Sequence, residues 1–479
     1  MLFNSIEFLL FFPLTTALYY LLPESWRWPM LLIASCIFYM AWMPVYILIL
    51  FLVIVIDFFA AKKIEISSGP TRKLYLLVSV FANLSILFFF KYYNFFAENV
   101  NSATTTSGFS SVLPILQIIL PIGLSFHTFQ ALSYTIEVFK GKQKSEQNIG
   151  IYALYVMFYP QLVAGPIERP QRLLHQFRET HPFNFTNLTM GLQLMLWGFF
   201  KKLVIADRLA PLVNHVYEDP TAYTGFPLLL STYCFAMQIY CDFSGYTDIA
   251  LGAAQVLGIK LVENFKSPYS ASSIREFWQR WHISLSTWFR DYVYIPMGGS
   301  RTNAWRAYIN VLIVFALSGF WHGANWTYLA WGLMHGLYLV VYISYLKIAE
   351  RLSIGSANGI FTKLLSALGV FVTFNAVCFA WILFRAETLT DASWIMTHLF
   401  PLHGLEKVLS LGMSAADFAI ALIAVIVLEL GQFLQRRRSV RELIAAYPIT
   451  IRWPIYYTAV YAVLLFGRFS SDRFIYFQF

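Results

Sequence analysis

Two stretches decide how the chain is read: R-E-F-W-Q-R-W-H-I-S-L-S-T-W-F-R-D-Y, Arg275–Tyr292, and S-G-F-W-H-G-A-N-W-T-Y-L-A-W-G-L-M, Ser318–Met334. Each places a histidine, His282 or His322, directly after a tryptophan and between hydrophobic neighbours. An imidazole withdrawn from water is costly to charge, so burial favours its neutral, basic form. Polar groups at membrane depth are expensive, which makes them functional candidates. In the first stretch Phe277, Trp278, Trp281, Leu285, Trp288, Phe289 and Tyr292 recur at helical spacing, with Arg275, Gln279, Arg280, Ser286, Arg290 and Asp291 away from them. The pattern predicts one amphipathic helix lying along the interface, with His282 at the border of its two faces. On this helix alone, His282 reads equally as an interfacial residue or as a site residue. In the second stretch His322 follows the apolar run Val311–Phe320, Gly319 and Gly323 allow close backbone approach, and Asn325 and Trp326 open the next span. A helix that breaks at membrane depth needs protein or a water-filled cavity around it. A neutral histidine there serves as a general base on a hydroxyl, or as a core residue tied to a carbonyl. His335, inside a span, reads as packing.

Composition sets the class. Of 479 residues 58% are hydrophobic and 12% charged, with a mean hydropathy of +0.60. That is too little charge for a soluble surface, and it indicates an integral membrane protein. The 18% aromatic content suits interfacial belts of Trp and Tyr. The net charge of +9 falls in short loops between apolar segments, the pattern of cytoplasmic loops rather than of a nucleic-acid surface. Cys36, Cys234, Cys241 and Cys378 show neither pairing nor metal-ligand spacing, so no disulfide framework and no metal site is expected. The segment Ser5–Leu22 has no basic start or small-residue cleavage site and reads as retained.

A spanning helix takes about 20 apolar residues. Candidates are Ser5–Leu22, Pro29–Trp42, Val45–Ala61, Leu74–Phe96, Val112–Val138, Ile149–Ala164, Leu188–Ala206, Phe226–Cys241, Ile249–Ile259, Ala307–Phe320, Trp326–Ile348, Leu364–Phe384, Ala415–Leu434 and Pro454–Phe466. The shorter ones read as re-entrant or partial, which leaves about eleven true spans in an all-α polytopic membrane protein. The chain reads as a single membrane domain, residues 1–479, ending in an aromatic tail at 469–479, with no soluble appendage or internal repeat. The basic segments Lys62–Lys73, Lys140–Lys144, Pro166–Arg178 and Arg436–Arg441 are placed in the cytoplasm, and the Asn/Ser/Thr-rich loop Asn99–Ser111 outside. The stretch from Ala386 to His403 is expected to be a polar loop carrying His398 and His403.

Three further stretches carry polar groups in apolar surroundings. In Y-C-D-F-S-G-Y-T-D, Tyr240–Asp248, the carboxylates Asp242 and Asp248 interrupt an apolar run. They read as caps of a broken helix or as arginine partners, with a cation or proton-relay role as the alternative. In Y-P-Q-L-V-A-G-P-I-E-R-P, Tyr159–Pro170, three prolines and a glycine predict a re-entrant or rim turn. The tail D-R-F-I-Y-F-Q-F, Asp472–Phe479, is either an interfacial anchor or a segment long enough to turn back toward the membrane centre.

At these motifs the chain resembles the membrane-bound O-acyltransferase family, in its bacterial branch that O-acetylates cell-envelope polysaccharides such as alginate. The carrying residues are Phe277–Pro296, Gly319–Trp326, Tyr159–Pro170 and the C-D-F-S-G-Y-T-D-I-A run from Cys241. The resemblance implies a catalytic histidine at His322, a second site residue at His282, and a ring of tilted helices around a central tunnel. The ending with Phe474, Tyr476 and Phe479 resembles the tail of envelope acylation systems, in which the tyrosine is implied to carry the acyl group. Acetyl-CoA is then the implied acyl donor, with no tightly bound cofactor. The implied partners are an extracytoplasmic acetyltransferase, a polysaccharide acceptor and membrane lipid, and the implied location is the bacterial inner membrane. In that setting Trp321, Asn325, Asp242, Asp248, Arg280 and Arg290 are expected to line the substrate path. His322 is expected to take the hydroxyl proton, and His282 to orient or stabilise the oxyanion. The same chemistry on peptidoglycan or a teichoic acid is an alternative. A transporter that uses the carboxylates and histidines as a proton relay is another.

Overall fold

The computed structural model describes residues 1–108, 111–351, 360–435, 440–469 and 474–475, with side chains at 360–362 and 407–409 excluded. Among them every regular element is helical. The helices used below are α1 Ile6–Leu21, α2 Glu24–Met40, α3 Ile47–Ile66, α4 Gly69–Thr106, α5 Leu124–Phe139, α6 Ile149–Met157, α7 Phe185–Glu218 and α8 Phe226–Val256. They continue with α9 Ile274–Arg280, α10 Ile283–Phe289, α11 Ala304–His322, α12 Trp326–Arg351, α13 Ile360–Arg385, α14 Leu389–His398, α15 Ala415–Gln435, α16 Val440–Ala445 and α17 Ile449–Phe466. Among the described residues eight helices are long and apolar enough to cross a bilayer: α3, α4, α7, α11, α12, α13 (from Lys363), α15 and α17. The protein is an all-α polytopic membrane protein, with α1 as a shorter apolar helix. Its chain forms two compact units, Met1–Met195 with Tyr246–Val262, and Leu196–Gly245 with Glu263–Phe479.

In the first unit one buried carboxylate is answered by polar neighbours on the next helix. Asp57 of α3 is fully buried and accepts from Ser79 Oγ at 2.6 Å and Asn83 Nδ2 at 2.9 Å, both on α4. The segment expected as an outside loop from Asn99 is helical through Thr106. Asn99, Thr105 and Thr106 each donate to the carbonyl four residues back, so their side chains are satisfied on the helix itself. The span expected from Val112 instead begins at Leu124. Residues 111–123 lack a helix, Gly123 is at φ 73°, and the extended backbone is held by Asn101 Oδ1 and Asn94 Oδ1, which accept from Val112, Leu113 and Leu116. The turn expected at Tyr159–Pro170 is present and buried after α6. There the Glu168 carboxylate accepts the Val262 N–H, and burial holds its pKa up at about 7.

In the second unit three expectations change. The apolar runs around Asp242 form one 31-residue helix, α8, which crosses the unit boundary, so neither Asp242 nor Asp248 caps a break. Ser244–Gly245 does not interrupt it, because the bare glycine face lets α7 approach: a Cβ at Gly245 would meet Gly198 O at 2.8 Å. The single amphipathic helix expected over Arg275–Tyr292 is two short helices, α9 and α10, hinged at His282 with φ 42° and ψ 54°. The stretch after Ala386 holds the helix α14, capped by Thr388 Oγ1 accepting Asp391 N–H at 3.1 Å.

The break expected after His322 is present, since α11 ends there and α12 starts at Trp326. The two helices pack through glycine: a Cβ at Gly319 would lie 2.2 Å from Tyr328 O, and one at Gly332 2.2 Å from Phe315 O. Small residues set this distance because lipid supplies no hydrophobic drive between helices. Gly332→Val is therefore expected to separate the pair and cost about 1–3 kcal/mol or more, seen as a lower midpoint in thermal unfolding of purified protein. An unchanged midpoint would refute the close packing.

Candidate functional site

The site forms where the chain turns at His282. The Asn264 carboxamide fixes that turn: its Oδ1 accepts from Ser284 N–H at 3.0 Å and Ser284 Oγ at 2.9 Å, while its backbone carbonyl accepts Ile283 N–H at 3.0 Å. A backbone N–H only donates, so the atom facing it is the amide oxygen. The same oxygen lies 3.2 Å from His282 Nδ1. An amide oxygen only accepts, so Nδ1 carries the proton and Nε2 presents a lone pair. His282 is fully buried, and burial pushes its pKa down to about 3. A positive φ at a non-glycine residue is a sparsely populated conformation, and such strain gathers at functional sites.

Aromatic rings enclose it. Phe243 meets the His282 ring edge-on at 4.7 Å, and Trp321 lies 6.1 Å away. His322 stands at the C-terminal end of α11, 4% exposed, with its ring 6.4 Å from that of His282. Trp331 and Phe384 pack edge-on against His322 at 5.1 Å and 5.3 Å. The result is two imidazoles side by side in a low-dielectric aromatic wall. Such a pair can take and pass a proton in acyl transfer to a hydroxyl.

Comparison with known proteins decides the family. A model described as the membrane-bound O-acyltransferase family matches residues 139–382, a span that contains both histidines. The chain is 38% identical over 400 residues to the probable alginate O-acetylase AlgI of Pseudomonas aeruginosa, covering 83% of this chain and 74% of that protein. It is 35% identical over 504 residues to the protein of the same description from Pseudomonas putida, covering all of both. It is 34% identical over 425 residues to a peptidoglycan O-acetyltransferase of Helicobacter pylori, covering 83% of this chain and 77% of that one.

This chain belongs to the membrane-bound O-acyltransferase family. It is a multi-pass membrane O-acyltransferase, and the transporter reading falls away.

Within this acyltransferase the structure brings together His282, His322 and Trp321. The other expected path residues are engaged elsewhere. Asn325 caps α12, accepting Thr327 N–H at 3.1 Å, and reaches the Glu387 carbonyl at 3.0 Å. Arg280 pairs with Glu276 one turn back and donates to Ser270 Oγ at 2.8 Å. Arg290, itself exposed, pairs with its neighbour Asp291. Asp242 pairs with a lysine, Lys202, and not with an arginine. Asp248 lies on α8 within the first unit. Tyr476 and Phe479 lie outside the described residues, while Phe474 is buried with its ring 5.9 Å from that of Phe243. His335 is a packing residue, parallel to Phe277 and edge-on to Trp278. Sequence reasoning missed Asn264 altogether, because it sits 18 residues before His282 in a loop with no motif spacing of its own.

Two outcomes follow from this geometry. Asn264→Leu removes the acceptor that sets the tautomer, and is expected to lower turnover about 10–100-fold while leaving the membrane-inserted fold intact; turnover equal to wild type would remove Asn264 from the site. For pH, the unfolded state binds a proton on His282 below about 6.5 whereas the folded state stays neutral down to about 3. Stability therefore rises with pH through this window and falls as the solution is acidified below about 6.5. His282→Asn should flatten the fall between pH 7 and 5, measured as thermal midpoints across buffers.

Proposed function

We propose that this acyltransferase moves acetyl groups from cytoplasmic acetyl-CoA through the bacterial inner membrane for O-acetylation of an alginate-like exopolysaccharide. The observation that carries the reading is the buried pair of imidazoles with one tautomer set by Asn264. The names of the Pseudomonas relatives support acetyl as the group and alginate as the polymer. Acetyl-CoA is charged and does not cross lipid, whereas the polymer lies outside, so a membrane-embedded site lets thioester and acceptor meet.

In this mechanism the acceptor hydroxyl oxygen attacks the thioester carbonyl, the C–S bond breaks, and the hydroxyl proton ends on the departing CoA thiolate. His322 takes that proton. His282, with its lone pair at Nε2, accepts that same O–H before attack and so orients the hydroxyl; the proton then passes to His322. The oxyanion role expected from sequence asks for a donor at Nε2, which this tautomer does not offer. Tyr476 is the proposed first acceptor, since its neighbours Phe474 and Ile475 are buried beside Phe243 and Asp242. A partner acetyltransferase outside the membrane then passes the group to sugar. Peptidoglycan is the second reading of the acceptor, favoured by the Helicobacter relative.

Removing a general base costs roughly 10²–10⁴-fold. His322→Ala should therefore insert and purify normally yet acetylate polymer at that reduced level, measured by acetyl content of the secreted polysaccharide; normal acetylation would discard the assignment. Tyr476→Phe should abolish polymer acetylation while CoA release persists by slow hydrolysis. Normal transfer by this variant would reduce the tail to an anchor.

A further inference from the structure

The C-terminal tail meets the body of the second unit at a buried charge cluster. Lys202 lies in the π-helical segment Phe200–Ala206 of α7 and is 6% exposed. Its ammonium sits 2.7 Å from Asp207 Oδ1 and 2.8 Å from Asp242 Oδ1. The other oxygen of Asp242, Oδ2, accepts the backbone N–H of Ile475 at 2.7 Å, across 233 residues of sequence. The chain before it is held on α7: Arg468 N–H donates to Leu203 O at 2.9 Å, and Arg208, paired with Asp417, donates to Phe466 O. Phe474 then packs 5.9 Å from Phe243, whose ring lies 4.7 Å from His282.

A buried carboxylate is costly unless charge and hydrogen bonds both answer it. Lys202 answers the charge but is shared between two carboxylates, so Asp242 keeps an oxygen for a further donor. A charge-assisted bond from a backbone N–H fills it. Because the donor is backbone, the contact fixes the position of the chain and is indifferent to the side chain at 475. Widened π-helical turns are frequent at functional sites, and here the turn carries the lysine that sets the acceptor.

We propose that Asp242 is a latch: with Lys202 it holds the tail at Ile475, one residue before Tyr476, in register with the His282 site. Asp242 is thus a positioning residue, and its functional consequence rests on the reading of the tail as acyl acceptor. The latch itself is read without any acyl transfer, by amide hydrogen exchange of the full-length protein in nanodiscs at single-residue resolution.

The Ile475 amide is expected to be protected in wild type and to exchange at least about tenfold faster in Asp242→Ala. Asp242→Asn keeps an oxygen acceptor but loses the charge, and should exchange faster than wild type yet more slowly than Asp242→Ala. An unprotected Ile475 amide in wild type overturns the latch. Equal exchange in the Ala and Asn variants also overturns it, since charge balance alone would then explain Asp242. If Asp242→Ala fails to purify as folded protein, Ile475→Pro deletes the donor and leaves the charge cluster whole. Its acetyl transfer should drop at least about tenfold against Ile475→Val, with CoA release retained. Equal transfer by the two overturns the latch. Loss of all CoA release in wild type would refute the proposed function and leave the exchange result standing.

Discussion

The rest of the site depends on one hydrogen bond, from His282 Nδ1 to Asn264 Oδ1. A histidine buried beside Phe243 and Phe265 is shielded from bulk solvent, so a protein neighbour sets its tautomer. Asn264 does so with an oxygen whose orientation is itself fixed by the Ser284 N–H. Reaching that oxygen requires the chain to turn, and the turn is the left-handed conformation of His282 between α9 and α10. The strain at that residue is held by bonds on both sides: Lys266 N–H on the Arg280 carbonyl and Ile283 N–H on the Asn264 carbonyl, at 2.9 Å and 3.0 Å.

Around this point the fold supplies walls. Trp281, Trp331 and Trp381 are each almost fully buried and pack on one another at 5.1–5.6 Å between Trp381 and the other two. Each aromatic contact contributes about 0.5–1.5 kcal/mol beyond the area it covers. Rings of this size have few rotamers, so the wall is stiff, and a stiff wall holds two imidazoles at a working distance. Glycine at 319 and 332 supplies the complementary element, bringing α12 close enough to α11 for Trp331 to reach His322.

The sequence made the membrane class, the hairpin of α11 and α12 and the pair of histidines legible, because hydropathy and tryptophan-histidine spacing are local signals. It did not make the hinge at His282 legible. Periodicity runs straight through Trp281–Ile283, and what breaks it is a set of tertiary hydrogen bonds that Asn264 accepts. The same limit applies at Asp242. Two carboxylates in an apolar run read as a break, but Lys202 and the Ile475 N–H meet one of them and the helix continues. Helix at Asn99–Thr106 was hidden for a local reason, since Ser, Thr and Asn are as content to bond back onto a helix as to form a loop.

The most direct test is nitrogen NMR of the full-length protein carrying ¹⁵N-histidine, in nanodiscs, with the His282 signals found by difference against His282→Asn. The expected result is a neutral ring protonated at Nδ1, unchanged from pH 8 to pH 5. A ring protonated at Nε2, or one that becomes imidazolium within that range, would contradict it.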